Sequence, residues 1–478
     1  MLPQALLLVI LMNINVASTS NIIKTLPSFR GDFPFNTKDD NEFMTLTIQR
    51  YVGVGAMDDV QLFYYFFESE GSPEYDPLVL WFNGGPGCST FSGFLNENLG
   101  PLSFDYLNSI GNKPKLKLNP YSWTKVANII FVDEPVGTGF SYAKTWEGYS
   151  NIRDTLSAVQ TYEFLRKMYT QGKVSFLIVD HEVLIWVYFI YFYVGNRDEH
   201  LPPMNLKGYV IGNPVTDTQI DKNYRVLFAC LKALIPEELC QCIEDIHLEQ
   251  ILEPVCSVSS PKSAGSKWFA EYLVNKDSAN LLLSFPQLRR SWCRSYNYLF
   301  SYIWANDRTV QDALHIREGS IKEWERCNKT LQDLYISDVS SSLVYHENLI
   351  KQGYRVLIYS GDHDMNIPYV STMGWIESLN LTVDSRWKPW FLHGQVAGLV
   401  SSISSSFLLC IEFSRRNLNP IRVLNVATEA SLEFRAISPV PAARETKTST
   451  GKMLAVHLPS LGLLRLISMG LGRLVIMC

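Results

Sequence analysis

The stretch Asp76-Pro-Leu-Val-Leu-Trp-Phe-Asn-Gly-Gly-Pro-Gly-Cys-Ser-Thr-Phe-Ser-Gly93 decides how the rest of the chain is read. It opens as an apolar strand, Leu78 to Phe82, and breaks into Asn83-Gly84-Gly85-Pro86-Gly87. Three glycines and a proline within five residues force a tight loop at the carboxyl end of a strand. Without Cβ atoms in the way, backbone N–H groups can point outward there and stabilise negative charge that develops in a transition state. A plain β-turn is the other reading of Gly-Gly-Pro-Gly. The choice between them rests on the segments around it.

Working outward, Tyr51 to Glu68 alternates β-branched and aromatic residues around a Gly/Asp turn and predicts a hairpin. Asn119-Pro-Tyr-Ser-Trp leads into the fully apolar Ile129 to Val132, the pattern of a strand buried on both faces. Ser150 to Lys167 turns helical, with Leu156, Val159, Tyr162, Phe164 and Leu165 as its apolar positions. Leu206 to Asp217 and Val356 to Pro368 each read as a buried strand running into a turn. Strand, loop and helix alternating in this way predict an α/β fold.

Composition sets the outer bounds. At 478 residues, 47% hydrophobic and 13% aromatic, the chain is rich enough for a large buried core. A net charge of −5 argues against nucleic acid as a partner. That total hides a break: residues 399–478 hold nine Arg/Lys against four Glu, and no Trp, Tyr or Asp. Residues 399–478 are therefore expected to be an atypical tail outside the fold. Residues 1–20 read as a secretory signal peptide, with an apolar core from Ala5 to Met12 and small residues at Val16-Ala17-Ser18. No apolar run is long enough to predict a membrane span. Nine cysteines then imply an oxidised protein with at least one unpaired thiol, and Asn328-Lys-Thr and Asn380-Leu-Thr become glycosylation acceptors. Secretion or delivery to the vacuole is the expected localisation. No cofactor or metal is called for.

Trp81-Phe-Asn-Gly-Gly-Pro-Gly-Cys-Ser89 resembles the oxyanion-hole segment of the serine carboxypeptidase family, whose fold is the α/β-hydrolase. Glu134-Pro-Val-Gly-Thr-Gly-Phe-Ser-Tyr142, Gly195 to His200, Leu206 to Asp217, Val356 to Pro368 and Trp387 to Gly398 resemble the same family. The resemblance implies a hydrolase domain over 21–398, with a largely helical cap inserted at about 218–310. It implies that the Gly85 N–H is an oxyanion donor and that Trp81, Asn83 and Gly84 line the site for a substrate carboxylate. Glu97 stands one position further back than the family's carboxylate-binding Glu, where Asn98 now sits. Disulfides Cys88–Cys327 and Cys242–Cys256 follow from the resemblance alone.

Asp364, three residues after Gly361 in Ser360-Gly-Asp-His-Asp364, is by the same resemblance the acid that orients a catalytic His. Asp362 is expected to cap local backbone N–H groups. His363 gives the loop the look of the acyltransferase branch, which takes acyl groups from glucose esters. Substrates are then peptides or small acyl esters.

Two parts of the machine are missing. The family's nucleophile requires Gly-x-Ser-x-Gly, a strained strand-to-helix turn with no room for Cβ atoms on either side. No such motif occurs in the chain. At its place stands the atypical segment 172–194, Gly172-Lys-Val-Ser-Phe through Tyr-Val194, where Ser175 has no flanking glycines. Asp180-His-Glu182 within it reads as a surface loop. After Asp364 the family continues to Gly-x-Gly-His, whereas only His393 and His457 follow here, neither in that setting. The chain is expected to be inactive. A secreted non-catalytic binding protein and a misassembled gene model are the alternatives, the second because both replaced blocks have sharp edges.

Overall fold

The computed structural model describes residues 21–22, 26–29, 35–36, 43–44, 46–48, 51–96, 99–105, 108–109, 114–168, 176–180, 204–232, 234, 248, 250–252, 298–392, 395–403 and 407–412. The signal peptide, Glu97, Ser175, His181, Glu182, Cys242, Cys256, His393 and His457 lie outside these residues. The principal strands are β1 (Leu46–Ile48), β2 (Val60–Phe67), β3 (Leu78–Trp81), β4 (Asn128–Asp133), β5 (Phe176–Asp180), β6 (Leu206–Gly212), β7 (Arg355–Gly361), β8 (Val383–Leu392), β9 (Gln395–Ile403) and β10 (Phe407–Glu412). The principal helices are α1 (Asp154–Met168), α2 (Thr218–Leu231), α3 (Lys329–Leu334), α4 (Leu343–Lys351) and α5 (Tyr369–Ser378). The chain divides into two compact units, one formed by 1–178, 191–205 and 256–338, the other by 179–190, 206–255 and 339–478.

In the first unit the strands run in the order β1-β2-β4-β3. Strand β2 is antiparallel to β4, with Phe67 opposite Ile129 and Phe63 opposite Asp133. Strand β4 is parallel to β3, with Phe131 opposite Trp81. Every residue of β4 is buried, as its unbroken apolar run requires of a strand covered on both faces. The expected hairpin is present: Val52–Val54 pairs antiparallel with the start of β2, Val54 opposite Val60. Aromatic rings fill the core, with Phe67 and Phe94 at 4.7 Å, Phe91 stacked on Trp304 and edge-on to Trp324, and Trp81 edge-on to Trp123.

Helix α1 forms where helical periodicity places it, but on a different face. Ser157, Ala158, Thr161, Phe164 and Leu165 are buried, while Val159 is 37% exposed. Small residues on the inner face let the helix approach its neighbours closely, and Phe164 packs edge-on against Tyr64.

In the second unit the order is β6-β7-β10-β9-β8. Strands β6, β7 and β10 are parallel, and β10, β9 and β8 close the edge as antiparallel neighbours. This corrects the expected boundary at Gly398. Residues 399–403 complete β9, and β10 lies beside β7 with Val356 opposite Phe407. A sheet edge accepts any segment whose backbone can ladder and whose side chains fit a half-buried face. Val400, Ile403, Leu409 and Ile411 are accordingly buried. Residues 413–478 lie outside the described residues.

Helix α2, at the start of 218–310, belongs to the framework of the second unit: Asp221 accepts from the Thr216 and Asp217 N–H groups and from the Ser371 hydroxyl of α5. The helices Leu299–Ala305 and Arg308–Ala313 belong to the first unit.

Candidate functional site

The glycine loop leaves the end of β3 and is fastened at both sides. The Trp81 indole donates to Asn83 Oδ1 at 2.8 Å, which fixes which way the Asn83 amide faces. Both side chains are buried. A Cβ on Gly93 would lie 2.6 Å from Trp81 Nε1, so only glycine leaves room for this pair. Gly85 has φ 150°, outside the range that L side chains favour, and is exposed. Beyond it, Cys88 is joined to Cys327 by a disulfide. Backbone bonds flank that link, Ser89 N–H to Arg326 O at 2.7 Å and Asn328 N–H to Gly87 O at 3.0 Å. The loop is thus clamped on the segment before α3, and Gln332 of α3 reaches Cys88 Sγ at 3.7 Å. An oxyanion donor is useful only if it does not reorganise as charge develops. The disulfide and its two flanking backbone bonds hold the glycine loop fixed.

The segment after the loop rests on a residue that sequence reasoning left without a role. Asp133, at the end of β4, is fully buried. Its Oδ1 accepts from Ser89 Oγ at 2.7 Å, Thr90 N–H at 2.9 Å and Thr90 Oγ1 at 3.0 Å, and its Oδ2 accepts from the Phe140 N–H. One carboxylate thereby holds the segment after the glycine loop to the loop after β4. Burial pushes its pKa up from 3.8 to about 6 against these donors. Because the folded value lies above the unfolded one, its contribution to stability is complete below about pH 4. That contribution is lost as pH rises through about 6, by roughly 3 kcal/mol. In denaturant titrations across this window, the Asp133→Asn chain is expected to show a flatter pH profile than the parent. A parent profile that rises from pH 4 to 7 and is unchanged by the substitution would contradict the assignment.

No serine of the described first unit stands in as a nucleophile by sequence neighbourhood. Ser141, in Gly139-Phe-Ser-Tyr-Ala143, comes nearest to Gly-x-Ser-x-Gly, yet it is fully buried. Its hydroxyl accepts from the Phe63 N–H at 2.7 Å and donates to Asp133 O at 2.5 Å. Ser89, also buried, is spent on Asp133.

In the second unit, Asp364 follows β7 in a loop held from three directions. Its Oδ1 accepts from the N–H groups of Asn366 at 2.8 Å and Ile367 at 3.0 Å, and its Oδ2 accepts from Asn213 Nδ2 at 2.6 Å. Asn213, at φ 46° just beyond β6, is itself anchored by its N–H to Tyr359 O. Arg225 of α2 grips Asn366 with a fork, Nε to the backbone O at 2.6 Å and Nη2 to Oδ1 at 2.8 Å. Asp364 therefore caps the two backbone N–H groups that follow it. Asp362 Oδ1 lies 3.0 Å from His363 Nδ1. Asn213 was visible in Gly212-Asn213-Pro214 but carried no role, since its partner is 151 residues away.

One unit thus holds a clamped glycine loop and the other a carboxylate, Asp364, fixed by three donors. The family model for serine carboxypeptidase matches residues 40–177 and 188–413. The chain belongs to the serine carboxypeptidase family. Its curated relatives include serine carboxypeptidase-like 13 of Arabidopsis thaliana, 37% identical over 84% of this chain and 90% of that protein. Serine carboxypeptidase-like 2 of the same plant is 39% identical over 80% and 84%. Among solved structures, Kex1(delta)p, a prohormone-processing carboxypeptidase from Saccharomyces cerevisiae, is similar with a TM-score of 0.64 at 18% identity, over 86% of this chain and 94% of that one. That likeness is to the α/β-hydrolase fold. The family match narrows the atypical segment: 172–177 and 188–194 lie within it, and only 178–187 are skipped. It also continues to 413, in step with β9 and β10.

Among the described residues no group of three or more His, Cys, Asp or Glu side chains could hold a metal, and no helix is long and apolar enough to cross a membrane.

Proposed function

We propose that this protein has kept the carboxylate-binding and oxyanion half of the serine carboxypeptidase site and lost the acyl-transfer half, so that it binds without turnover. In the family reaction a Ser Oγ attacks an ester or amide carbonyl while a His takes its proton. The oxyanion rests on N–H donors such as that of Gly85. Water as acceptor gives C-terminal peptide hydrolysis; an alcohol gives acyl transfer from a glucose ester. The observation that carries the proposal is in the sequence: no Gly-x-Ser-x-Gly anywhere, and no Gly-x-Gly-His after Asp364. What remains, the Trp81–Asn83 pair and the clamped Gly84-Gly85 loop, suits the free carboxylate of a peptide. Entry into the secretory pathway is part of the same reading, from the apolar leader and the Cys88–Cys327 disulfide.

Calorimetric titration tests the binding. Peptides ending in a free carboxylate are expected to bind and to lose affinity in the Asn83→Leu chain, whereas their C-terminal amides bind weakly. Equal affinity for acid and amide would contradict the carboxylate site.

A further inference from the structure

Two glycosylation sequons, Asn328-Lys-Thr and Asn380-Leu-Thr, are equivalent in sequence, each with Thr at the third position. Their surroundings are not equivalent. From these we infer that Asn380 is the glycan-bearing site of the folded protein and that Asn328 is a structural asparagine that stays unmodified. The inference rests on the reading that the chain enters the secretory pathway.

Asn328 is the N-cap of α3, and both ends of its amide are in use. Its Oδ1 accepts from the Leu331 N–H at 3.1 Å, and its Nδ2 donates to Gly137 O at 2.9 Å. The residue is half-buried, between the clamp on the glycine loop and the loop after β4. Glycosylation joins Nδ2 to C1 of a sugar carried on a lipid pyrophosphate. The N–C bond forms, the pyrophosphate leaves with the C–O electron pair, and Nδ2 loses one proton. A glycan there would have to emerge through the gap that the Gly137 carbonyl now closes.

Order of synthesis adds to the protection. Cys88 precedes Cys327 by 239 residues, so it is already across the membrane when Cys327, adjacent to the acceptor, emerges. Disulfide formation and the two flanking backbone bonds then draw Asn328 into place.

Asn380 is the opposite case. It is exposed, lies just past the end of α5 with φ 49°, and its Nδ2 makes only a local 3.3 Å contact with Ser378 O. Thr382 is exposed as well. Nothing in the described fold has to move to admit a glycan.

The full chain translated into microsomes, with its own leader and with a proven leader in place of residues 1–20, tests this. Peptide mass spectrometry after enzymatic deglycosylation in heavy-oxygen water reads each site. One glycan, on Asn380, is expected; Asn380→Gln abolishes it, and Asn328→Gln leaves the count unchanged. Translation with dithiothreitol, which prevents the Cys88–Cys327 link, is expected to add a second glycan at Asn328. Full occupancy of Asn328 under oxidising conditions, or an unmodified Asn380 in translocated chain, overturns the inference. Glycosylation with the substituted leader but not the native one would overturn the secretory reading while leaving the site assignment standing.

Discussion

Hydrolysis of peptide and ester substrates is expected to fall roughly 10⁶-fold below that of an intact serine carboxypeptidase, the loss that follows removal of a triad Ser or His in a related mechanism. The residual would come from binding and the oxyanion loop alone. Two features of the result are specific to this chain. Asp364→Asn should produce no further drop, because the carboxylate held by Asn213 and the 366–367 N–H groups has no histidine in the Gly-x-Gly-His setting to orient. A peptide with a free carboxylate should still bind, so that affinity and turnover part company. A rate within tenfold of an active relative would show that another nucleophile has taken over.

The second large effect concerns stability. Cys88 and Cys327 close a loop across 239 residues of sequence. In the chain-entropy account, a loop that long makes the link worth about 5 kcal/mol, against measured losses of roughly 2–5 kcal/mol when native disulfides are removed. The Cys88→Ala, Cys327→Ala double variant is therefore expected to unfold at markedly lower denaturant than the parent. The Ser89–Arg326 and Asn328–Gly87 backbone bonds should still hold the glycine loop in its place at low denaturant. The loss would then appear in the unfolding midpoint, with carboxylate binding retained. An unchanged midpoint would mean that the unfolded chain is already compact around this pairing.

The features that were legible in the sequence are those set by local chemistry. Leu78 to Gly87 announces a strand and a glycine loop because turn residues act on their own neighbours. The 51–68 hairpin and the buried run 129–132 follow from periodicity. Asp364 could be picked out as a loop carboxylate from its place after Gly361, but its Asn213 partner could not.

Long-range partnerships were not legible. Asp133 meets Ser89 and Thr90 from more than 40 residues away, Asn213 meets Asp364 from 151, and Asn328 meets Gly137 from 191. Asn213 lies in a motif and Asn328 in a sequon, yet neither these nor Asp133 could be given a partner from the sequence. The tail shows the reverse error. Its composition breaks at 399, yet 399–403 and 407–412 lie in a sheet that asks only for backbone pairing and apolar side chains at Val400, Ile403, Leu409 and Ile411. Composition does not report what a sheet edge will accept.

The central claim is that a serine carboxypeptidase framework persists here without a nucleophile. Incubating the purified full chain with a fluorophosphonate that phosphonylates activated serines, then reading intact mass, tests it most directly. The expected result is unmodified protein beside stoichiometric labelling of an active relative. One phosphonyl group added stoichiometrically to a serine of this chain would contradict it.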